Sequence, residues 1–303
     1  GLLLIGLTGQ SIAPGASIAT APPADSARPW RGPGPDRPTS VALPPQPMAP
    51  VRGRRMLKRW CYAGVYGPQV MLCAGVARIG PAPQAWWAVW DRQASRLTQR
   101  TRLLWGLDAV RVTPGEVWVV DGDVEIRLAL GSGEGVEVYT PDPGGYVWTR
   151  KHEAHAQGHV RVGNDRWEVE GPALVDDSAG YHPRHTVWRW SAGSGRLTDG
   201  AAVTWNLVEG IHDSPRDSER TLWVDGEPSE LTPARFAPDL RAIEFEDGAG
   251  LAFAAEATRA RDDNLLVLRS RYRQPFGCFS GTFPGGLELT EGWGVMESHD
   301  ALW

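Results

Sequence analysis

A chain of 303 residues with 36 acidic and 31 basic side chains carries a formal charge of −5 and a pI of about 5.8. The length suffices for one large or two ordinary domains, and the charge excludes the basic stripe and high pI of a nucleic-acid-binding protein. Three cysteines, Cys61, Cys73 and Cys278, exclude a full disulfide framework and point to a reducing, cytoplasmic setting, although a single Cys61–Cys73 bridge stays open.

Residues 1–42 differ from the rest. Gly1 to Leu7, GLLLIGL, is apolar but too short to span a bilayer. The ATA at Ala19 to Ala21 resembles a cleavage box, which keeps export open as the alternative localisation. From Pro22 to Pro50 the chain is rich in Pro, Ala, Ser and Arg, a composition that cannot bury a core and predicts a disordered leader. The basic run Arg52, Arg54, Arg55, Lys58 and Arg59 reads as a solvated lead-in to the first strand. No later stretch is apolar enough to cross a membrane, so no integral membrane segment is expected.

From Arg59 onward, short runs of Val, Trp, Ile and Tyr alternate with polar residues at period two, the pattern of strands. Examples in chain order are VWVVD (117–121), VEIRLAL (124–130), VEVY (136–139), HVRV (159–162), TVWRW (186–190), VTWNLV (203–208), TLWVD (221–225) and LLVLRSRYR (265–273). Asp-Gly pairs at 121–122, 199–200, 225–226 and 247–248 mark hairpins, because the pair tolerates positive φ at both turn positions. The segment LAFAAEATRARDD (251–263) reads as strand followed by loop. About 17 to 19 strands at this spacing exceed what one small barrel holds. The fold class expected is therefore all-β, with two tandem antiparallel lipocalin-like β-barrels, since closure removes exposed edges. The polar stretch KHEAHAQG (151–158) is the expected junction, which divides the body into barrels 43–151 and 152–303.

Most apparent motifs have a plain reading. GSGEGV (131–136) imitates a dinucleotide fingerprint, but a strand follows where the phosphate site needs a helix. His152, His155 and His159 lack the spacing of a zinc-protease pair and read as a solvated linker, so no metal is expected. No Gly-x-Ser-x-Gly elbow occurs. Tryptophan, with 15 copies against 6 tyrosines and 6 phenylalanines, suits either the wall of a ligand site or a β core.

More informative is DDSAGYHPRHTVWRW (176–190) with the two strands that complete it. Strand parity places Thr186, Trp188 and Trp190 on one face. The next strand sets Trp205 and Leu207 on one face and Thr204, Asn206 and Val208 on the other. The last strand aligns Leu287, Leu289, Trp293, Val295, Glu297 and His299. A carboxylate among Leu, Trp and Val needs a partner, and desolvation raises its pKa. Arg269, Arg271 and Arg273 alternate on a preceding strand and are candidates for that partner. The alternative is a structural buried ion pair. Asp176 and Asp177 read either as a turn cap or as a paired-carboxylate proton donor.

Six long stretches, LKRWCYAGVYGPQVMLCAGVARIGP (57–81), VDDSAGYHPRHTVWRW (175–190), VTWNLVEGIHD (203–213), RTLWVDGEP (220–228), YRQPFGCFSGTFPGGLEL (272–289) and GWGVMESHDALW (292–303), resemble in order the bacterial domain-of-unknown-function 2804 family. The resemblance covers residues 43–303 and implies kinship in architecture with tandem lipocalin-like proteins such as carotenoid 1,2-hydratase and tocopherol cyclase. Fold kinship does not fix function. The expectation is a protein that holds an apolar or amphipathic small molecule in a barrel mouth or between the barrels. If it is an enzyme, it is a cofactor-independent lyase or isomerase in which a buried neutral acid protonates an alkene. The candidate acids are Glu297, Asp177 and Asp176; Tyr181, His299 and Asn206 are candidates to orient water or substrate; Trp188, Trp190, Trp205, Trp293 and Arg273 are candidates for the ligand wall. A non-catalytic carrier or sensor needs the same cavity without the perturbed acid. A purely structural module would fill both barrels with side chains.

Overall fold

The computed structural model describes residues 28–34, 36–265 and 268–303. The order of strands begins with β1 (Trp30–Gly32), β2 (Val51–Arg52), β3 (Arg55–Met56), β4 (Lys58–Val65), β5 (Val70–Ile79), β6 (Ala82–Asp91) and β7 (Arg96–Leu103). It continues with β8 (Val110–Thr113), β9 (Glu116–Asp121), β10 (Val124–Leu130), β11 (Gly135–Asp142), β12 (Gly145–Val162) and β13 (Asp165–Gly180). A second series follows: β14 (His185–Leu197), β15 (Ala202–Glu209), β16 (Thr221–Val224), β17 (Glu227–Glu230) and β18 (Ala234–Phe236). It closes with β19 (Ala242–Phe245), β20 (Gly250–Leu265), β21 (Leu268–Phe283) and β22 (Leu287–Leu302). Among the described residues the only helical element is a single 3-10 turn, Leu107–Ala109, and no helix is long and apolar enough to cross a membrane.

Two curled antiparallel sheets account for nearly all of these strands, as the tandem-barrel expectation requires. The first runs β7-β6-β5-β4-β13-β12-β10-β9-β8, and the second runs β17-β16-β15-β14-β22-β21-β20-β19-β18. Each curls back on itself: β8 packs against β4 and β5, and β18 against β15. Strand β12 is long enough to pair with β11 along its first half and β10 along its second. The Asp-Gly hairpins form where expected; at Asp225–Gly226, between β16 and β17, φ is positive at both residues, 48° and 89°.

Alternation along the strands sorts side chains into three cores. Ala63 and Val65 of β4, Leu72 and Ala74 of β5, and Trp87 and Val89 of β6 fill the first barrel with Val119 and Ile126. Trp205, Leu207, Leu222, Phe253, Phe279 and Phe283 fill the second. The opposite faces of β4, β5 and β6 present Tyr62, Met71, Cys73, Ala88 and Trp90 to Trp190, Val208, Phe276 and Val295 of the second sheet. Strands buried on both faces explain why VMLCAGV and AWWAVW read as nearly continuous apolar runs. Two indoles lie over cross-strand glycines, Trp86 over Gly75 and Trp205 over Gly193; a Cβ on either glycine would meet the ring at 2.2 or 2.1 Å.

Several expectations are corrected. KHEAHAQG is not a linker but the middle of β12, and the change of sheet falls instead at residues 181–184, between β13 and β14. Its polarity misled because Lys151 and His152 are buried against partners the sequence does not reveal. Part of the leader is ordered: β1 pairs with β11, and Trp30, Val41 and Ala42 pack around Leu43, Tyr139, Tyr146 and Tyr181. Arg37 Nε adds a 2.8 Å bond to Glu137. A few anchors outweigh a composition that is poor in apolar residues on average. The stretches read as a short apolar run and a cleavage box, residues 1–7 and 19–21, lie outside the described residues. Residues 251–263 are strand throughout, inside β20. The three cysteines are free.

A candidate active site between the two barrels

Apolar side chains pack the interiors of both barrels, and a cavity lies between them. It measures about 150 Å³; a void of roughly that size in a protein core accepts a guest as large as benzene. The first sheet contributes Trp60 and Tyr62 of β4, Trp86 of β6, Lys151 of β12 and Asp176 of β13. From the second come Trp188 and Trp190 of β14, Arg259 of β20, Tyr272 of β21, and Glu297 and His299 of β22, with Glu219 and His212 from the loop before β16.

Glu297 is buried, at 8% exposure, and accepts three hydrogen bonds. Trp188 Nε1 donates to Oε1 at 2.9 Å, and Tyr272 Oη and Gln274 Nε2 donate to Oε2 at 2.9 and 3.2 Å. Burial pushes the carboxyl above the usual range, and the Tyr272 and Trp188 donors with nearby Arg259 offset this only in part. His299 is pushed down to about 3 by burial, so the ring is neutral; its Nε2 lies 2.8 Å from Ser270 Oγ, and its ring centroid 4.2 Å from that of Trp188.

A second acidic cluster, drawn from both halves, also lines the cavity. Lys151 Nζ lies 2.6 Å from Asp176 Oδ2 and 3.5 Å from Glu219 Oε2. Asp176 also accepts from Trp60 Nε1 at 3.1 Å and Ser178 Oγ at 2.7 Å. One ammonium cannot neutralise two buried carboxylates. Burial, with Asp176 adding to it, therefore pushes Glu219 up to about 7, whereas Asp176 and Glu219 hold Lys151 charged against its burial. Asn206 anchors the cluster: its Nδ2 donates to the Glu219 carbonyl at 2.9 Å, and its Oδ1 accepts from Trp190 Nε1 at 2.7 Å. His212, pushed down to about 3 by burial, holds Thr140 Oγ1 at 2.6 Å through Nδ1, and its buried Nε2 is without a partner.

Of the residues named from sequence, the structure brings Glu297, His299, Trp188, Trp190 and Asp176 to the cavity, with Asn206 directly behind it. Asp177 alternates to the other face of β13, opposite Cys61 and Arg150, and burial raises its carboxyl there. Tyr181 belongs to the cluster around Leu43, and its hydroxyl donates to the Ala49 carbonyl at 2.7 Å. Trp205 is in the core of the second barrel and Trp293 packs at the barrel interface outside the cavity. Arg273 is exposed, because on β21 it is Tyr272 and Gln274, not the arginines, that face Glu297. Sequence reasoning missed Lys151, Glu219 and Arg259. Lys151 and Arg259 lie in stretches read as linker and loop, and Glu219 sits in a polar loop without periodicity.

A family profile described as domain of unknown function 2804 matches residues 120–303. The chain belongs to that family. The match starts at the end of β9, later than the residue 43 at which the sequence resemblance begins. It contains Asp176, Glu219, Arg259 and Glu297, while Trp60, Tyr62 and Trp86 precede it. Among solved structures, a protein assigned as AttH from Nitrosomonas europaea is similar in fold, with a TM-score of 0.51 at 15% identity over 80% of this chain and 92% of that one. Kievitone hydratase from Nectria haematococca gives 0.43 at 10% identity, over 80% and 88%. CghA gives 0.42 at 11% identity, over 80% and 88%. No curated protein sequence matches the chain.

Proposed function

We propose that the cavity between the barrels binds an apolar or amphipathic small molecule and that Glu297 acts on it as a general acid. The observation that carries this reading is that one indole-walled cavity gathers two carboxyl-bearing sets, Glu297 of β22 and the pair Asp176 and Glu219 held by Lys151. Burial raises the Glu297 carboxyl above its usual range, the direction that favours the proton-bearing form a general acid needs. Transfer of that proton to one alkene carbon leaves a cation on its neighbour, which the faces of Trp188 and Trp190 stabilise. Attack by water, with its proton taken by a carboxylate of the second cluster, completes a hydration; loss of a different proton completes an isomerisation. Every atom comes from substrate, water and side chains, so this scheme calls for no organic cofactor.

Asp176 and Glu219 take the role of base in this scheme, and His212 Nε2 that of a water-orienting group. A general acid contributes roughly 10²- to 10⁴-fold, so Glu297→Gln is expected to lower turnover of the bound alkene by about that factor while ligand affinity changes little. Native mass spectrometry of protein purified from cells identifies the ligand, and turnover of that molecule by wild type and variant is then compared. Equal turnover by the two removes Glu297 from the chemistry. A second reading, a carrier without catalysis, draws support from the three donors that also suit a Glu297 anion. Retention of a ligand that wild-type protein never converts is the outcome that favours it.

A further inference from the structure

One cation on the cavity wall has no carboxylate partner. Arg259 is 4% exposed, yet it forms no ion pair among the described residues, and its one hydrogen bond is from Nη2 to Thr101 Oγ1 at 3.2 Å. The guanidinium carbon lies 4.8 Å from the ring centroid of Tyr272 and 5.6 Å from that of Trp86. Two residues along β20, Arg261 pairs with Asp263 at 2.6 Å, and the buried Arg220 donates to the carbonyls of Leu231 and Ser214. A guanidinium has five donors in a planar fork and is never neutral at physiological pH. Among the described residues Arg259 uses them only toward Thr101, and an anion in the cavity it lines would complete the set.

Trp86 makes the same point independently. Five indoles line the cavity. Trp60 donates to Asp176, Trp188 to Glu297, Trp190 to Asn206 and Trp303 to Thr186. Trp86 Nε1 is buried without any acceptor. The unmatched indole N–H and the guanidinium thus belong to adjacent side chains, on β6 and β20, that both line the cavity.

We propose that the ligand is an amphipathic acid, whose carboxylate is held by Arg259 and Trp86 while its apolar chain lies against Trp188 and Trp190. A planar carboxylate matches the guanidinium fork in two parallel bonds, which adds both strength and orientation. Tyr272 relates this end to the candidate acid, since its ring lies under Arg259 and its hydroxyl bonds to Glu297. An unsaturated carbon a few bonds from the carboxylate therefore comes within reach of Glu297. This inference deepens the reading of the cavity as a binding site and rests on it.

The test uses trans-3-octenoic acid and trans-3-octen-1-ol, which share chain and alkene and differ in the carboxylate, titrated calorimetrically into the full-length protein at pH 7.5. Wild type is expected to bind the acid at least about tenfold more tightly than the alcohol, a difference of about 1.4 kcal/mol. Arg259→Gln is expected to abolish that preference by weakening the acid alone, Arg259→Lys to keep part of it, and Trp86→Phe, which removes the N–H and retains the ring, to reduce it severalfold. Equal affinities in wild type, or an Arg259→Gln variant that weakens both probes alike, overturn the inference and leave an apolar cavity in place. Should Arg259→Gln not fold, the Lys and Phe variants decide, and an unchanged preference in both overturns it. Binding of neither probe overturns the inference and the binding reading together. A clear preference for the acid with no conversion of it supports the inference while counting against general-acid catalysis.

Discussion

Lys151, Asp176 and Glu219 share one buried positive charge between two carboxyl groups, and this sets a pH dependence with a definite sign. Glu219 titrates near 7 in the fold against 4.5 for an ordinary glutamate, so the folded protein binds its proton more tightly than the unfolded chain. Stability from this group is intact below about pH 4.5 and is lost as pH rises towards 7. His212 and His299 act oppositely. Both are held near 3 in the fold against 6.5 in the open chain, so stability falls as pH drops below about 6.5. The contribution of Glu219 is isolated by Glu219→Gln: the melting temperature of the variant relative to wild type should climb between pH 5 and pH 8. A difference that stays constant over that range would show that Glu219 does not titrate there. At the same scale, Trp205 and Trp188 separate core from cavity. Trp205→Ala should cost about 3–5 kcal/mol of unfolding free energy by urea titration, whereas Trp188→Ala should cost less and weaken ligand binding instead. The sequence made both look like wall residues, because period-two alternation tells which residues share a face and not which of two apolar spaces that face adjoins. Glu297 was legible because its neighbours at i−2 and i−4, Val295 and Trp293, are apolar.

The strands themselves were largely readable, and one slip of face, in β22, comes from a β-bulge. Parity through LELTEGWGVMESH places Leu289 with Glu297, but the register of β22 against β14 jumps from Glu291 to Leu289, opposite Arg196 and Leu197. The jump skips one residue and swaps the faces, sending Leu287 and Leu289 into the second barrel and Val295 and Glu297 to the interface. Nothing in the local composition marks it. Hairpin turns were legible because Asp-Gly has a specific backbone preference, and Arg259 was hidden because a strand with charge on a wet face and a cavity face looks like a loop. The glycines on β5 and β14 carry a further consequence. Gly75 is open so that the Trp86 ring can lie across it, and a valine there would drive the ring from its place. Gly75→Val is expected to abolish ligand binding while far-UV circular dichroism remains that of a β protein; unaltered binding would mean that the position of Trp86 is immaterial.

Across the whole molecule, the two barrels are joined by a third core and by polar contacts that cross it. Trp90 Nε1 and Arg92 of the first sheet bond to Glu256 of the second, Ser194 Oγ donates to the Tyr66 carbonyl, and Trp223 Nε1 to that of Glu134. Lys151 and Glu219 join the same pair. Neither half buries this surface alone. A fragment of residues 185–303 would expose Trp190, Val208, Trp223, Phe276 and Val295, an apolar patch of the kind that drives aggregation. It should be insoluble or self-associated by size-exclusion chromatography, while the full chain unfolds in one transition. A soluble monomeric fragment would show that the barrels are independent. The number of barrels could be counted from strand spacing, but their mutual burial could not, since it depends on which faces of distant strands meet.

The short crossing from β13 to β14 ties that assembly together. Residues 181–184 are fastened at both ends: the Tyr181 amide donates to the Tyr146 carbonyl, and Arg184 exchanges backbone and side-chain bonds with Trp303. His182, within the crossing, lies against Trp60 and Trp303, two of the indoles that line the cavity. The two walls are thus stitched along one rim like the spine of a book, with Trp60 on one board and Trp303 on the other. On the proposed function, a residue inserted into that ribbon is expected to shift one wall of the cavity against the other and so to weaken ligand binding, although none of the cavity's own atoms is substituted.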